Sequence, residues 1–140
     1  MAANGGSILI IDDDAAVSRT LALVLTRAGY RVSTAASGRK GFEMLAGGGF
    51  DLVLTDIIMP ELDGIEAIRR IRNDYPGLRI IAMSGGGQID KADFLHMAEV
   101  LGADRVIEKP VRNERLLELV KATLEAPSRK MPGPGRGPLS

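Results

Sequence analysis

Short apolar runs alternate with longer stretches of helical period along this chain, and this alternation most constrains its fold. The runs are almost continuous Ile, Leu and Val, which is typical of strands covered on both faces. Five are found, at Ser7–Ile11, Arg31–Thr34, Leu52–Thr55, Arg79–Met83 and Arg105–Ile107. Strands that alternate with helices form right-handed crossovers and a parallel sheet. We therefore predict an α/β fold, a doubly wound five-stranded parallel sheet with helices on both faces.

Apolar residues at three- and four-residue steps predict the helices between these strands. One helix follows a candidate cap at Asp14, and another follows Asp63, which forms a capping-box pattern with Glu66. The spacing predicts further helices around residues 94–101 and 117–124. The weakest helical pattern, at residues 41–46, precedes three glycines. The apolar positions are Val17, Leu21, Val24 and Ala28, then Ile65, Ile68 and Ile71, then Phe94, Met97, Ala98 and Leu101, and finally Leu117, Val120 and Leu124.

Composition excludes several classes of protein. Basic and acidic residues both number 18, so no net charge draws the chain to nucleic acid or to an anionic membrane. The absence of cysteine excludes disulfides and thiolate chemistry, and no apolar run approaches the ~20 residues of a membrane span. We expect a cytoplasmic protein with no membrane association. The expected division is a flexible N-terminus at 1–6, one domain at 7–126, and a disordered proline- and glycine-rich tail at 127–140 that leaves no room for a DNA-binding domain.

Residues with acid–base or ligand chemistry follow the predicted strands. Asp12 and Asp13 follow the first run, Asp56 follows the third, Ser84 the fourth, and Lys109 the fifth. Because parallel strands end at one edge of a sheet, these side chains should converge there. Three carboxylates about 5 Å apart repel strongly, by roughly 3 kcal/mol per pair at an effective dielectric of ~20. A divalent cation such as Mg²⁺ would remove that repulsion and would assist phosphoryl transfer to a carboxylate.

The segments ILIIDDD, LVLTDIIMPELDG, IIAMSG and GADRVIEKP resemble the signature segments of the receiver domains of bacterial two-component response regulators, single-domain chemotaxis regulators among them. The resemblance spans residues 7 to 125. It implies a flavodoxin-like strand order 2-1-3-4-5 and a phosphoprotein whose phosphoacceptor is Asp56. It also implies that Asp12, Asp13, Asp56 and the backbone carbonyl of Ile58 bind Mg²⁺. Ser84 and Lys109 would hold the phosphoryl oxygens, and the Lys109–Pro110 peptide would be cis.

The resemblance further implies the partners and the mode of action. The phosphodonor would be a sensor histidine kinase or a histidine phosphotransfer protein, and the output an unidentified downstream protein. The domain would act stoichiometrically rather than as an enzyme, as a monomer or a weak homodimer. Two rival functions stay open. A haloacid-dehalogenase-like phosphatase would use Asp12 as nucleophile and Asp14 as acid, and a pseudo-receiver would bind partners without phosphorylation.

Departures from the family pattern concern output and timing. Val106 stands where receivers often have an aromatic switch residue, and a stiff valine cannot make that rotamer change. We therefore expect the glycine loop Gly85, Gly86 and Gly87 to take part in the readout. Neither Ile58 nor Gly86 can orient a hydrolytic water, which predicts slow autodephosphorylation. Replacement of Ile58 by Asn should accelerate it, and a radiolabel chase with an unchanged rate would contradict this expectation.

Overall fold

The computed structural model describes residues 5–57, 64–84 and 102–126, with the side chains of residues 64 and 65 excepted. Five strands and four helices lie within these ranges. In chain order they are β1 Ser7–Ile11, α1 Ala15–Arg27, β2 Arg31–Ala35, α2 Gly38–Ala46, β3 Leu52–Asp56, α3 Gly64–Asp74, β4 Arg79–Ser84, β5 Arg105–Glu108 and α4 Asn113–Glu125. The helix expected around residues 94–101 lies outside the described residues, as do Asp63, Ile58 and Gly85, Gly86 and Gly87.

The strands form one parallel sheet in the order β2-β1-β3-β4-β5, which confirms the predicted fold and strand order. Ile8 pairs with Val32 on one side and with Leu52 on the other, so β1 is an inner strand. All strands therefore end at one edge of the sheet, which we call the carboxyl edge, and begin at the opposite amino edge. The carboxyl edge is where chemistry was expected.

Alternate residues of the central strands point to opposite faces, and both faces are fully covered. Ile8 and Ile10 pack in a cluster with residues of α1 and α4. Leu9 and Ile11 pack in a second cluster with residues of α3 and with Leu45 of α2. All four strand side chains are inaccessible to solvent. Because both faces are buried at residues 8–11 of β1, none of these four positions favours a polar residue, which explains the unbroken apolar run that follows Ser7.

Four strands extend one residue further than the apolar runs predicted. Asp56 is the last residue of β3 and pairs with Met83, while Ser84 is the last residue of β4 and pairs with Glu108. Asp56 therefore ends the third strand, as expected, whereas Ser84 lies within the fourth strand instead of following it. Pairing with a neighbouring strand sets these ends, and the hydropathy of a single run does not contain that information.

Side-chain caps set the starts of α1 and α2. The Asp14 carboxylate accepts hydrogen bonds from the backbone N–H groups of Ala16 and Val17 at 3.0 and 3.2 Å, so its predicted capping role is confirmed. The Ser37 hydroxyl accepts from the Lys40 N–H at 3.1 Å. Helix α2 therefore begins at Gly38, three residues before its apolar pattern becomes visible. None of the helices in the described ranges has the length and apolarity needed to cross a membrane.

Arg72, near the end of α3, binds several loops at the amino edge through one guanidinium group. Its Nε donates to the carbonyl of Gly102 at 2.9 Å. Its Nη1 donates to the carbonyls of Pro76 and Leu78, both at 2.8 Å. Its Nη2 forms an ion pair with Asp104 at 2.9 Å. The Asp104 carboxylate also accepts from the Ile80 N–H at 2.8 Å. This cluster joins α3 to the starts of β4 and β5.

Candidate functional site

Three carboxylates converge at the carboxyl edge of the sheet. Asp12 and Asp13 follow β1, and Asp56 ends the adjacent strand β3. One carboxylate oxygen from each lies within 4.8 Å of the others. Asp12 and Asp56 are buried, at 1% and 6% exposure, whereas Asp13 is exposed. The predicted convergence is therefore present, and Asp13 is the member that faces solvent.

Backbone and side-chain hydrogen bonds hold Asp12 in place. Its Oδ1 accepts from the Asp14 N–H at 2.9 Å, and its own N–H donates to the Ala35 carbonyl at 3.1 Å. The Ser18 hydroxyl donates to the Asp12 carbonyl at 3.4 Å. Sequence reasoning missed Ser18, which is 6% exposed. The available signal was a hydroxyl at the position three residues before Leu21, on the apolar face of α1.

Lys109 joins the two buried carboxylates. Its Nζ lies 2.8 Å from Asp56 Oδ2 and 3.0 Å from Asp12 Oδ2. Its backbone N–H donates to the Ser84 carbonyl at 2.8 Å, which ties the end of β5 to the end of β4. The Lys109–Pro110 peptide bond is cis. The side chain is 22% exposed, so the ammonium group reaches the carboxylates from a partly solvated position.

The surroundings of Lys109 keep it protonated. Burial alone lowers the pKa of an ammonium group, because it disfavours the charged form. The hydrogen bond to Asp56 and the ion pair with Asp12, together with the attraction of both charges, outweigh burial and raise the pKa of Lys109 above its ordinary value. Lys109 therefore carries a positive charge at neutral pH.

The cluster contains more negative than positive charge. One lysine faces three carboxylates, and the buried Asp12 Oδ2 makes an ion pair with Lys109 without a hydrogen bond from any described residue. Around Mg²⁺, with oxygens at ~2.1 Å, ligands on opposite sides are ~4.2 Å apart. Carboxylate oxygens within 4.8 Å of one another need only small movements to bind such an ion. The donor set and the charge imbalance thus fit a hard divalent cation.

The other expected site residues are only partly within the described ranges. Ser84 is 3% exposed and lies at the end of β4, beside the strand that carries Lys109. Val106 is half-buried, pairs with Ala82 and packs against the core cluster on the α2 and α3 face. Ile58, the expected carbonyl ligand, and Gly85–Gly87, the expected readout loop, lie outside the described residues.

Comparisons with known proteins agree with this geometry. The family model "Response regulator receiver domain" matches residues 8–121. Transcriptional regulatory protein AfsQ1 of Streptomyces coelicolor is 37% identical over 124 residues, which cover 89% of this chain and 53% of that protein. Chemotaxis protein CheY of Treponema pallidum is 34% identical over 121 residues, covering 84% of this chain and 82% of that protein.

Solved structures show the same fold. Response regulator protein TrrA of Thermotoga maritima, crystallised in complex with Mg²⁺-BeF, superposes with a TM-score of 0.73 at 28% identity, and covers 84% of this chain and 98% of that chain. The chain spans about half the length of the first curated relatives that it matches.

Proposed function

Because the chain belongs to the response regulator receiver domain family, we propose that Asp56 accepts a phosphoryl group from a phosphohistidine, with Mg²⁺ bound. The observation that carries this proposal is the contact of Lys109 with Asp56 at 2.8 Å inside a cluster of three carboxylates. A carboxylate that is buried and lies beside a fixed cation is suited to attack phosphorus. In this role the domain is a stoichiometric phosphoacceptor and not a turnover enzyme.

The transfer exchanges one bond at phosphorus for another. An Asp56 carboxylate oxygen forms the new O–P bond while the N–P bond of the donor imidazole breaks, and the donor histidine leaves with that electron pair. The ammonium group of Lys109 is hydrogen-bonded to Asp56 before the transfer. After the transfer it pairs with a negatively charged phosphoryl oxygen. The Ser84 hydroxyl, at the end of the neighbouring strand, would donate to another phosphoryl oxygen. The rate gain of these groups comes from positioning and charge stabilisation.

The metal would be held by Asp12, Asp13 and Asp56, with the backbone carbonyl of Ile58 as a further ligand. When bound, Mg²⁺ neutralises carboxylate charge and the charge that develops on the phosphoryl group. Asp13 is exposed and its carboxylate can adjust at little cost. Asp12 is held by the Asp14 N–H and by Lys109, so it acts as the fixed side of the metal site.

The partners follow from this chemistry. The donor is a sensor histidine kinase or a histidine phosphotransfer protein of the cytoplasm, and the phosphorylated domain acts on a downstream protein. We place the receiver domain at residues 7–126, with 1–6 and 127–140 as flanking segments. Val106 and Gly85–Gly87 belong to the proposed readout. In this readout, the loop after Ser84 responds to phosphorylation without an aromatic switch residue at position 106.

The geometry of the site agrees less well with the rival hypothesis of a phosphatase. It needs Asp14 as a free acid, but the Asp14 carboxylate caps α1 through Ala16 and Val17. It also leaves the buried pair of Asp56 and Lys109 without a role. A phosphorylation-independent pseudo-receiver would need no Lys109–Asp56 contact either. Both rivals remain outcomes of the experiment below.

The test is phosphorylation by acetyl phosphate, followed by intact-protein mass spectrometry. We expect wild-type protein with Mg²⁺ to gain one phosphoryl group, and Asp56→Asn to gain none. Removal of Mg²⁺ with EDTA should also abolish the gain. The control is Asp51→Asn, which changes an exposed aspartate at the amino edge and should react like wild type. A phosphoryl group on Asp56→Asn would indicate another acceptor, Asp12 first, and would support the phosphatase. No gain by the wild-type protein with Mg²⁺ would support the pseudo-receiver.

A further inference from the structure

A cleft of about 250 Å³ opens at the amino edge of the sheet, opposite Asp56. One wall is the segment 48–51 that leads into β3, and the other contains Tyr75, Gly77 and Leu78, which lead into β4. Arg79, the first residue of β4, also lines it. None of these residues belongs to the carboxylate site, so the proposed phosphoacceptor function does not account for the cleft.

The cleft is lined mainly by aromatic rings and glycines. Phe50 and Tyr75 are half-buried and pack against the core with one part of their surface. A Cβ atom placed on Gly48 or Gly49 would meet no atom within 4 Å, so this wall is open. Grooves lined by aromatic rings, with backbone exposed beside them, bind proline-rich segments in the polyproline II conformation. The shape and lining of the cleft therefore favour such a segment.

Arg79 has a hydrogen-bond donor for which the described residues provide no acceptor. Its Nη2 donates to the carbonyl of Ala126 at 2.9 Å. Its Nε is buried and has no hydrogen-bond partner among the described residues. A buried donor without a partner is unfavourable, at a cost of roughly 1–3 kcal/mol. The carbonyl groups of a polyproline II segment have no internal hydrogen bonds and can serve as acceptors for the guanidinium group of Arg79, which lines the cleft.

The chain itself supplies a matching segment at this place. Ala126, whose carbonyl is bound by Arg79, directly follows α4 and immediately precedes residues 127–140. Those fourteen residues include four prolines and three glycines, three basic residues and no acid. Asp51 is an exposed residue of the cleft wall, and its Oδ2 accepts from the Ser7 N–H at 2.9 Å, which leaves its Oδ1 for Arg136 of the segment. At ~3.1 Å per residue the segment extends over roughly 40 Å, so its prolines can reach a cleft whose wall touches its first peptide.

We propose that the proline–glycine segment 131–138 of this chain binds the cleft formed by Phe50, Tyr75 and Arg79. The segment covers the amino edge of its own domain and leaves the carboxyl edge free for phosphotransfer. A proline-rich segment of another protein would have to displace it to bind there. The proposal is independent of the phosphoacceptor function, because cleft and carboxylates lie at opposite edges of the sheet.

The absence of cysteine makes a spin-label test direct, since one introduced cysteine carries the only label. The 140-residue chain with Ser140→Cys is labelled with a nitroxide, and amide signals are compared in the oxidised and reduced forms. If segment 131–138 occupies the cleft, the amides of Gly48, Gly49 and Gly77 lose their signals. Those of Asp13 and Ala36, at the carboxyl edge, keep theirs. A label at Ser128→Cys is the positive control, because tethering alone holds it near the cleft.

Matched variants distinguish binding of segment 131–138 in the cleft from its mere presence near the cleft. Pro132→Ser with Pro134→Ser, made in the Ser140→Cys chain, preserves length and charge but removes the polyproline preference. We expect this variant to restore the signals of Gly48, Gly49 and Gly77, and an excess of unlabelled 131–140 peptide to restore them in the parent. The proposal is overturned if the signal loss is equal at both edges, or if it survives the proline replacements. It is also overturned if the peptide binds the cleft in trans while the Ser140 label leaves the cleft amides unaffected.

Discussion

Each edge of the sheet contains a half-buried basic side chain beside acidic groups. The two clusters differ in whether their buried polar atoms all have hydrogen-bond partners among the described residues. At the amino edge, Arg72 makes hydrogen bonds through all three nitrogens, and its partner Asp104 also accepts from a backbone N–H. At the carboxyl edge, Lys109 faces three carboxylates, and the buried Asp12 Oδ2 makes no hydrogen bond with any described residue.

This difference separates a stabilising cluster from a reactive one. A matched and hydrogen-bonded ion pair has little to gain from a ligand, so the Arg72 cluster holds helix, loops and strands together. A cluster with surplus negative charge is less stable on its own and gains from a bound cation. Destabilised arrangements of this kind concentrate at functional sites. The comparison can therefore be tested by removing charges from each edge in turn.

Arg72→Ala should have the largest effect on stability. It leaves the Asp104 carboxylate and three backbone carbonyls without their donor, which for a buried pair costs ~3–5 kcal/mol. Because the Arg72 side chain is 15% exposed, we expect about 3 kcal/mol, at the lower end of that range. Urea unfolding measures it. The control, Arg70→Ala, removes an exposed guanidinium that lies 4.3 Å from the Phe42 ring and should cost at most about 1 kcal/mol. Equal losses would contradict the assigned role of Arg72.

Addition of Mg²⁺ should stabilise the wild-type protein by a smaller amount. At a concentration ten times the dissociation constant, binding to the folded state alone adds about 1.4 kcal/mol to the free energy of unfolding. Asp13→Asn should be more stable than wild type without Mg²⁺, by up to about 1 kcal/mol, because it removes an exposed charge that repels two carboxylates. It should then respond weakly to Mg²⁺. Thermal unfolding with and without Mg²⁺ would show both the higher stability of Asp13→Asn in the absence of Mg²⁺ and its weaker stabilisation by Mg²⁺. If Asp13→Asn were less stable than wild type without Mg²⁺, the site would have no surplus of negative charge.

The smallest effect concerns Tyr30, which precedes β2 at the amino edge. Burial, and then the negative charge of Glu125, raise the pKa of the Tyr30 phenol above its ordinary value. The folded state therefore holds this proton more strongly than the unfolded state. Its contribution to stability is complete below the ordinary pKa of ~10 and is lost as the pH rises through the folded pKa. Urea unfolding between pH ~8 and pH ~11 should show a shallower decline for Tyr30→Phe than for wild type. Parallel declines would show that Tyr30 does not contribute.

The two edges were also unequally predictable from sequence. Asp12 and Asp56 follow apolar runs directly, and Lys109 lies two residues after one. Parallel strands bring such positions together whatever their separation along the chain. Arg72 gave no comparable signal, because an arginine on an amphipathic helix usually faces solvent. The side chains of the residues whose carbonyls accept from Arg72 give no indication of these hydrogen bonds. The loop geometry that directs the carbonyls towards Arg72 exists only in the folded chain. Every residue has a backbone carbonyl, so residue types alone do not predict which carbonyl accepts a hydrogen bond from a side chain.

Local boundaries show the same limit. Ser84 was expected just after a strand but is the last paired residue of β4, because Glu108 of β5 continues the ladder beside it. Helix α2 begins at Gly38, because the Ser37 hydroxyl caps it before its apolar positions begin. In both places a neighbouring group, and not the hydropathy of the run, determines the boundary.

Gly41, in the middle of α2, has a practical consequence for engineering. A glycine within a helix costs roughly 1 kcal/mol relative to alanine, so Gly41→Ala would be an obvious choice for a more thermostable variant. Here the added methyl carbon would come within 2.4 Å of the end of the Ile11 side chain, which is fully buried. Ile11 is the residue before Asp12, so a displaced Ile11 would shift the Asp12 carboxylate of the proposed metal site. An exchange of Gly41 chosen for helix propensity alone would therefore disturb the carboxylate cluster from a helix that contributes no residue to it.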